Sequence, residues 1–176
     1  MPHVRRLDDL ETARLILRRR RVDEAAIYRQ LWVERDRRAP PHRQIDPEGR
    51  PTVEDIAAFV RAEREESRPG ILAVERKITA DVIGICGLVF HENTRPDEPE
   101  LAYELLRAAQ GCGHATEAGH AVLRWASEAG YPRVWAKVRD WNTASRRVLE
   151  KLGFHETGSV ETDPVHGDSL LMVREF

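Results

Sequence analysis

The sequence predicts an α/β fold of the α+β kind, built on a mixed sheet, and three observations predict it. First, 176 residues with 41% apolar and 33% charged content suit one domain, residues 1–176, with a sizeable core. Second, runs of strand-like and helix-like periodicity follow one another in the order β α α β β β α β α β β. Third, a helical run separates the strands at 100–106 and 133–139, the arrangement of a parallel pair joined by a right-handed crossover. The two strands before them are joined by a tight connection and pair as an antiparallel hairpin, so the sheet is mixed.

TARLILR (12–18) alternates as a first strand, with Leu15 and Leu17 on one face. The basic run Arg18 to Arg21 reads as a solvated strand end rather than a nucleic-acid patch, because Asp23 and Glu24 follow at once. Asp23 is a candidate N-cap for a helix through about Glu34, on which Ala26, Ile27 and Leu31 stand near helical spacing. Residues 35–51, RDRRAPPHRQIDPEGRP, carry four prolines and no period. They form a long loop of the kind that often borders a functional site. Thr52 caps a second helix, TVEDIAAFVRAEREES, with Ile56, Phe59 and Val60 as its apolar stripe and Pro69-Gly70 beyond its end.

ILAVERK (71–77) and DVIGICGLVF (81–90) are the hairpin strands, turning near Thr79–Asp81, and HENTRPDEPE is a polar loop into the strand at 100–106. A helix over 115–129 turns Ala118, Val122, Trp125, Ala126 and Ala129 inward and stops at Gly130. RVWAKVR (133–139) alternates as a strand, and Asn142 to Leu152 is a short helix ended by Gly153. Residues 154–160 and 168–176 make a last pair of strands around Asp163-Pro164.

Composition excludes several classes. A formal net charge of −2 argues against nucleic-acid binding driven by bulk charge. No apolar run reaches the length of a membrane span, and MPHVRRLDDL lacks the apolar core of a signal peptide. Two cysteines, Cys86 and Cys112, make no disulfide framework, and the expected location is the cytoplasm. The seven histidines are scattered without ligand spacing, so no metal site is expected.

The stretch that organises the chain is PELAYELLRAAQGCGHATEA, residues 99–118. A strand, a glycine-bearing turn and a helix N-terminus follow in order. The glycines let a ligand approach the backbone, and the first N–H groups of the helix lack intrahelical partners. The helix dipole adds positive charge, so a phosphate is the natural guest. Neither G-x-G-x-x-G nor G-x-x-x-x-G-K-[ST] fits, because the glycines stand at 111 and 113 and position 116 is Thr. What fits is Q-x-x-G-x-A, in Gln110, Gly113 and Ala115.

That pattern resembles the acyl-coenzyme A pyrophosphate loop of the GNAT N-acetyltransferases. NTASRRVLEKLGF (142–154) resembles the second cofactor motif of the same superfamily. GHATEA and NTASRRVLEKLGF look like its RimJ/RimL branch, and the resemblance spans roughly residues 11–175. It implies a mostly antiparallel sheet with helices on both faces and one central parallel pair, splayed into a V where acetyl-CoA enters. It also implies that the backbone of Gln110, Gly111, Cys112, Gly113, His114 and Ala115 holds the pyrophosphate, with Gly113 the least replaceable. The strand at 101–106 pairs with the pantetheine arm, and an N–H near Leu105 or Leu106 polarises the thioester carbonyl. Asn142 bonds the cofactor arm, caps its own helix, or does both.

The usual phenolic donor of the superfamily, seven residues after that asparagine, falls here on Leu149 and is absent. In the RimJ/RimL branch a serine three residues after the asparagine takes this place, which is Ser145. The alternative for Ser145 is a bond to the preceding turn of its helix. For the general base, Glu104 and Glu100 share one face of the central strand with Ala102; Glu104 is nearer the expected thioester. They read equally as solvated carboxylates. Glu161 and Asp163 in the last hairpin, and His114 and His120, are further candidates. His114 reads as packing, and Glu117 as bonding near its helix start.

Three functions follow, in order of preference. The first is acetylation of a protein or peptide N-terminal α-amine by acetyl-CoA. The second is the same chemistry on a small amine such as an amino acid, polyamine or antibiotic. The third is a non-catalytic acyl-CoA-binding module. An α-amine, with a pKa of about 8, needs less help losing its proton than lysine at about 10.4, so a weak base favours the first. The expected partners are the amine acceptor and a second copy in a homodimer, with no nucleic acid and no membrane.

Overall fold

Leu15, Leu17, Leu72 and Val74 stand two apart along neighbouring segments and are fully or almost fully buried, which is why these segments pair as strands over one core. The computed structural model of the chain describes residues 7, 9–66, 69–92 and 95–176. Readings on the first six residues, Asp8, the helix end at Ser67, Arg68, Asn93 and Thr94 lie outside the described residues.

The described strands are β1 (Leu10–Glu11), β2 (Leu15–Arg19), β3 (Ile71–Arg76), β4 (Val82–Val89), β5 (Glu100–Leu105), β6 (Arg133–Arg139), β7 (His155–Glu161) and β8 (Ser169–Glu175). They form one sheet in the order β1-β2-β3-β4-β5-β6-β8-β7. Every neighbouring pair is antiparallel except β5 and β6. The expected order of elements is borne out, with the short β1 added at one edge. Too short to show alternation, β1 carries no periodic signal.

Helices α1 (Ala25–Val33) and α2 (Val53–Glu65) cover one face, where Ala25, Tyr28, Leu31, Ile56 and Val60 pack with Ala73 and Val82. Helices α3 (His114–Glu128) and α4 (Thr143–Lys151) cover the other, where Ala118, Val122, Leu149 and Leu152 join Leu101, Val134 and Val138 in the larger core. Burying a leucine as fully as Leu149 or Leu152 contributes roughly 2 kcal/mol.

Four local expectations are corrected. The basic run is not a solvated strand end, because Arg18 and Arg20 are buried. Arg18 pairs with nearby Glu24 and with Glu75, and Arg20 with Glu63, so charges that look surface-bound are neutralised by partners on other elements, two of them far along the chain. Asp23 caps nothing; a short 3-10 turn (Val22–Glu24) precedes α1, and the Glu24 carboxylate accepts the Arg21 N–H at 3.1 Å. Phe59 is 60% exposed, stacked near Arg20 instead of filling the core. Helix α3 begins at His114, one residue early. Thr52 does cap α2, in a reciprocal box with Asp55.

β5 and β6 meet at one position. Glu100 is opposite Trp135, whose N–H donates to the Pro99 carbonyl at 2.9 Å. Beyond it the ladder stops, although β5 continues to Leu105 and β6 to Arg139. The parallel pair is therefore splayed, as the resemblance implies. Among the described residues no helix is long and apolar enough to cross a membrane, and no group of three His, Cys, Asp or Glu is placed to hold a metal ion.

Candidate active site

The opening between β5 and β6 has backbone polar groups along one side. Leu106 N–H donates to Ile83 on β4 at 2.9 Å. Successive N–H groups of a strand point to opposite edges, so the Leu105 and Tyr103 N–H groups point away from β4 into the opening. Of the two residues proposed to polarise a carbonyl, Leu105 is the one whose N–H faces the gap; that of Leu106 is spent on the sheet.

At the end of β5 the chain enters a 3-10 turn (Arg107–Ala109) and the glycine loop. Gln110 does not reach outward. Its Nε2 donates to the Leu105 carbonyl at 3.0 Å and ties the loop to the strand end. Gly111 and Gly113 have φ of 78° and 81°, a left-handed conformation that side-chain-bearing residues adopt only at a cost. The first intrahelical bond of α3 runs from Glu117 N–H to the Gly113 carbonyl at 3.0 Å. The His114, Ala115 and Thr116 N–H groups precede it and have no intrahelical partner. A Cβ at Gly111 would meet nothing within 4 Å, so the loop is open on that side.

His114 is 7% exposed, with Nδ1 3.3 Å from the Ala109 carbonyl, in agreement with its packing role. Glu117 bonds across to the segment before β2, not to its own helix start. It accepts from Thr12 Oγ1 at 2.6 Å and from Arg14 N–H and Nε at 2.9 and 2.6 Å. Arg14 Nη1 in turn holds the Cys112 carbonyl at 2.9 Å. The loop is thus braced from outside by a residue that no local motif marks.

Asn142 is the N-cap of α4, its Oδ1 accepting the Ser145 N–H at 3.1 Å. This fixes Ser145 in the first turn of the helix, beside the opening. Ser145 Oγ lies 2.8 Å from the Tyr103 hydroxyl, which also reaches the Ser145 carbonyl at 3.1 Å. Burial pushes the Tyr103 phenol well above its usual range. Tyr103 escaped sequence reading because it alternates with Leu101 and Leu105 and so reads as core. Leu149 is 1% exposed and belongs to the core.

On the other face of β5 a cavity of ≈ 950 Å³ extends from Ala102, Tyr103 and Glu104 to Trp32, Arg35 and the 35–51 loop. Glu104 stands in its wall and accepts two 2.8 Å hydrogen bonds from Arg35, whose guanidinium lies 3.9 Å from the Trp32 ring centroid. Glu100 Oε2 lies 2.9 Å from His91 Nε2. Neither carboxylate is simply solvated. Trp32 is half-buried beneath Arg35.

Asp163 is committed to the β7–β8 turn. It accepts the Val165 and His166 N–H groups and pairs with Arg139, and the backbone bonds first among these hold its carboxyl down at about 2. Glu161 pairs with Lys137 at 2.8 Å on an exposed edge. His120 lies on the exposed side of α3.

A splayed parallel pair, a left-handed glycine turn at a helix start, and a capped helix beside the gap define an acyl-transferase architecture. Residues 14–155 match the family described as acetyltransferase (GNAT) domain, and the chain belongs to that family. It is similar to the uncharacterized N-acetyltransferase p20 of Bacillus licheniformis, 28% identical over 156 residues, covering 86% of this chain and 85% of that protein. Its fold is similar to RimJ of Mycobacterium smegmatis, solved in complex with CoA-disulfide. The TM-score is 0.70 at 26% identity, with 92% of this chain and 81% of that one covered. A GNAT-family acetyltransferase of Bacillus anthracis shares the fold at a TM-score of 0.76 and 20% identity, covering 95% and 98% of the two chains.

Proposed function

We propose that this protein is an acetyl-CoA-dependent N-acetyltransferase of the RimJ/RimL type whose acceptor is the α-amine at the N-terminus of a protein or peptide. The observation that carries the choice of acceptor is that both carboxylates on the acceptor face of β5 are already engaged, Glu104 by Arg35 and Glu100 by His91. Any proton either one takes must go to a remaining lone pair. Such an arrangement suits an amine that is partly neutral at pH 7, and an α-amine is one where lysine is not.

The residues fit the cofactor. Unpartnered N–H groups at His114, Ala115 and Thr116, the open face of Gly111 and the left-handed turn at Gly113 suit a pyrophosphate, and the resemblance to RimJ in complex with CoA-disulfide supports this placement. The gap-facing N–H of Leu105 and the amide of Asn142 suit the pantetheine arm. Acetyl-CoA supplies an acetyl group activated as a thioester. Glu104, with Glu100 second, receives the proton of the amine from the wall of the cavity. Ser145 donates a hydrogen bond at the leaving sulfur. Two free cysteines, Cys86 and Cys112, suit a reducing compartment, and we place the reaction in the cytoplasm.

An assay of purified protein and acetyl-CoA against pooled peptides with free N-termini and, separately, pooled small amines tests the reading. Acetylation of peptides at the α-amine is expected. Activity confined to amino acids, polyamines or antibiotics would move the acceptor to a small molecule, and coenzyme A binding without turnover would make the chain a binding module.

A further inference from the structure

The acetyl-transfer reading leaves open how a serine, a poor acid, serves a leaving thiolate where many relatives use a phenol. The slot on α4 is closed to a phenol, because Leu149 lies in the core. A phenol nevertheless stands beside Ser145, on the other arm of the V. Tyr103 is three residues beyond Glu100, the point where β5 and β6 part, and its ring crosses to the helix that follows β6.

We propose that Tyr103 is a positioning residue for the transfer step, its hydroxyl donating to Ser145 Oγ and so aiming the Ser145 O–H at the leaving sulfur. Two acceptors compete for the one phenolic hydrogen, the Ser145 carbonyl at 3.1 Å and Oγ at 2.8 Å. When the phenol donates to the carbonyl, the serine hydroxyl can donate only to the phenol oxygen within this pair. When it donates to Oγ, the serine hydrogen is free to point elsewhere. Negative charge growing on a sulfur in the gap selects the second arrangement, and the two hydroxyls then act as a polarised chain.

The pair donates hydrogen bonds and gives up no proton. Its burial holds the phenol in its neutral form throughout. The carbon–sulfur bond breaks with its electrons on sulfur, and the thiolate is neutralised by the proton that the amine nitrogen sheds, carried by Glu104 or solvent. A donor used only as charge develops stabilises the transition state more than the bound ground state.

Tyr103→Phe keeps the ring and removes the hydroxyl, and Ser145→Ala removes its partner. The first readout is free of turnover: the pH at which the thiol of bound coenzyme A ionises, followed by thiolate absorbance. In the wild type it should ionise about one pH unit or more below free coenzyme A. Both variants should abolish that difference while coenzyme A still raises the melting temperature. The second is chemistry-limited kcat. Each single variant should lose roughly 10- to 100-fold, and the double variant little more than either one.

If Tyr103→Phe leaves the bound thiol as in wild type while Ser145→Ala changes it, Tyr103 only packs and the proposal is overturned. Losses that multiply in the double variant overturn it as well. A wild type that shifts the bound thiol yet acetylates nothing would leave the pair standing and remove the acetyltransferase reading.

Discussion

Arg35 grips Glu104 with two parallel 2.8 Å hydrogen bonds in the wall of the large cavity beside β5, while its own guanidinium rests on Trp32 and its Nη1 holds the Arg43 carbonyl at 3.0 Å. One side chain thus ties α1, the 35–51 loop and the central strand together. The fork geometry matches carboxylate oxygens in a way a lysine does not.

Glu104→Gln should therefore disturb two things. Losing the paired charge should lower stability by roughly 1–3 kcal/mol, because the Arg35 guanidinium, 14% exposed, is left uncompensated. In chemical denaturation, Arg35→Gln should cost a similar amount and the double variant less than the sum of the two. Turnover of Glu104→Gln should fall by roughly 10²–10⁴-fold and recover in part at high pH, where more of the amine is neutral. A loss that is the same at every pH would assign Glu104 to the clamp alone.

Gly113→Val should remove the rise in melting temperature that saturating coenzyme A gives the wild type. The φ of 81° is strained for a β-branched residue, and the turn must change to accept it. A ligand that binds only the native state stabilises it, so differential scanning fluorimetry reads the loss directly. An undiminished shift would detach the cofactor from this loop.

Asn142→Ala should cost about 0.5–2 kcal/mol through loss of the N-cap of α4. The Ser145 N–H then loses its acceptor, so the first turn of the helix loosens where Ser145 stands. Coenzyme A affinity and kcat should both drop, measured by isothermal titration and initial rates. Asn142→Asp, which keeps the cap, should restore stability.

Glu117 makes the glycine loop sensitive to acid. Burial opposes the charge, but bonds from Thr12 and Arg14 hold its carboxyl below the ordinary glutamate value of 4.5. A carboxyl depressed on folding stabilises the native state above that value, and the contribution fades as the pH falls through the folded pKa. Glu117→Gln should be less stable than wild type at pH 7, and the difference should shrink steadily below about pH 4. A gap independent of pH would mean that the charge contributes nothing.

Short-range signals made most of the fold legible. The glycines at 111 and 113, Thr52 before its helix and Asn142 before Ser145 act within four residues of themselves, so a string of residues suffices to find them. The helix between β5 and β6 likewise implied their parallel pairing. Where the basic run at 18–21 seemed to face water, the sequence could show the charges and not the partners, because Glu63 and Glu75 lie on other elements.

The sequence by itself determined the order of elements, the glycine turn that opens α3, the capped helix at Ser145 and the family to which these belong. Tertiary structure alone decided which groups meet in the gap and in the cavity on the other face of β5. Tyr103 and Ser145 are 42 residues apart, and Arg35 and Glu104 are 69 apart. Register chose the Leu105 N–H over that of Leu106, since strand N–H groups alternate and pairing with β4 claims every second one. Such contacts depend on how β5 and β6 part and on which face each residue takes, and a one-residue slip would reverse them all.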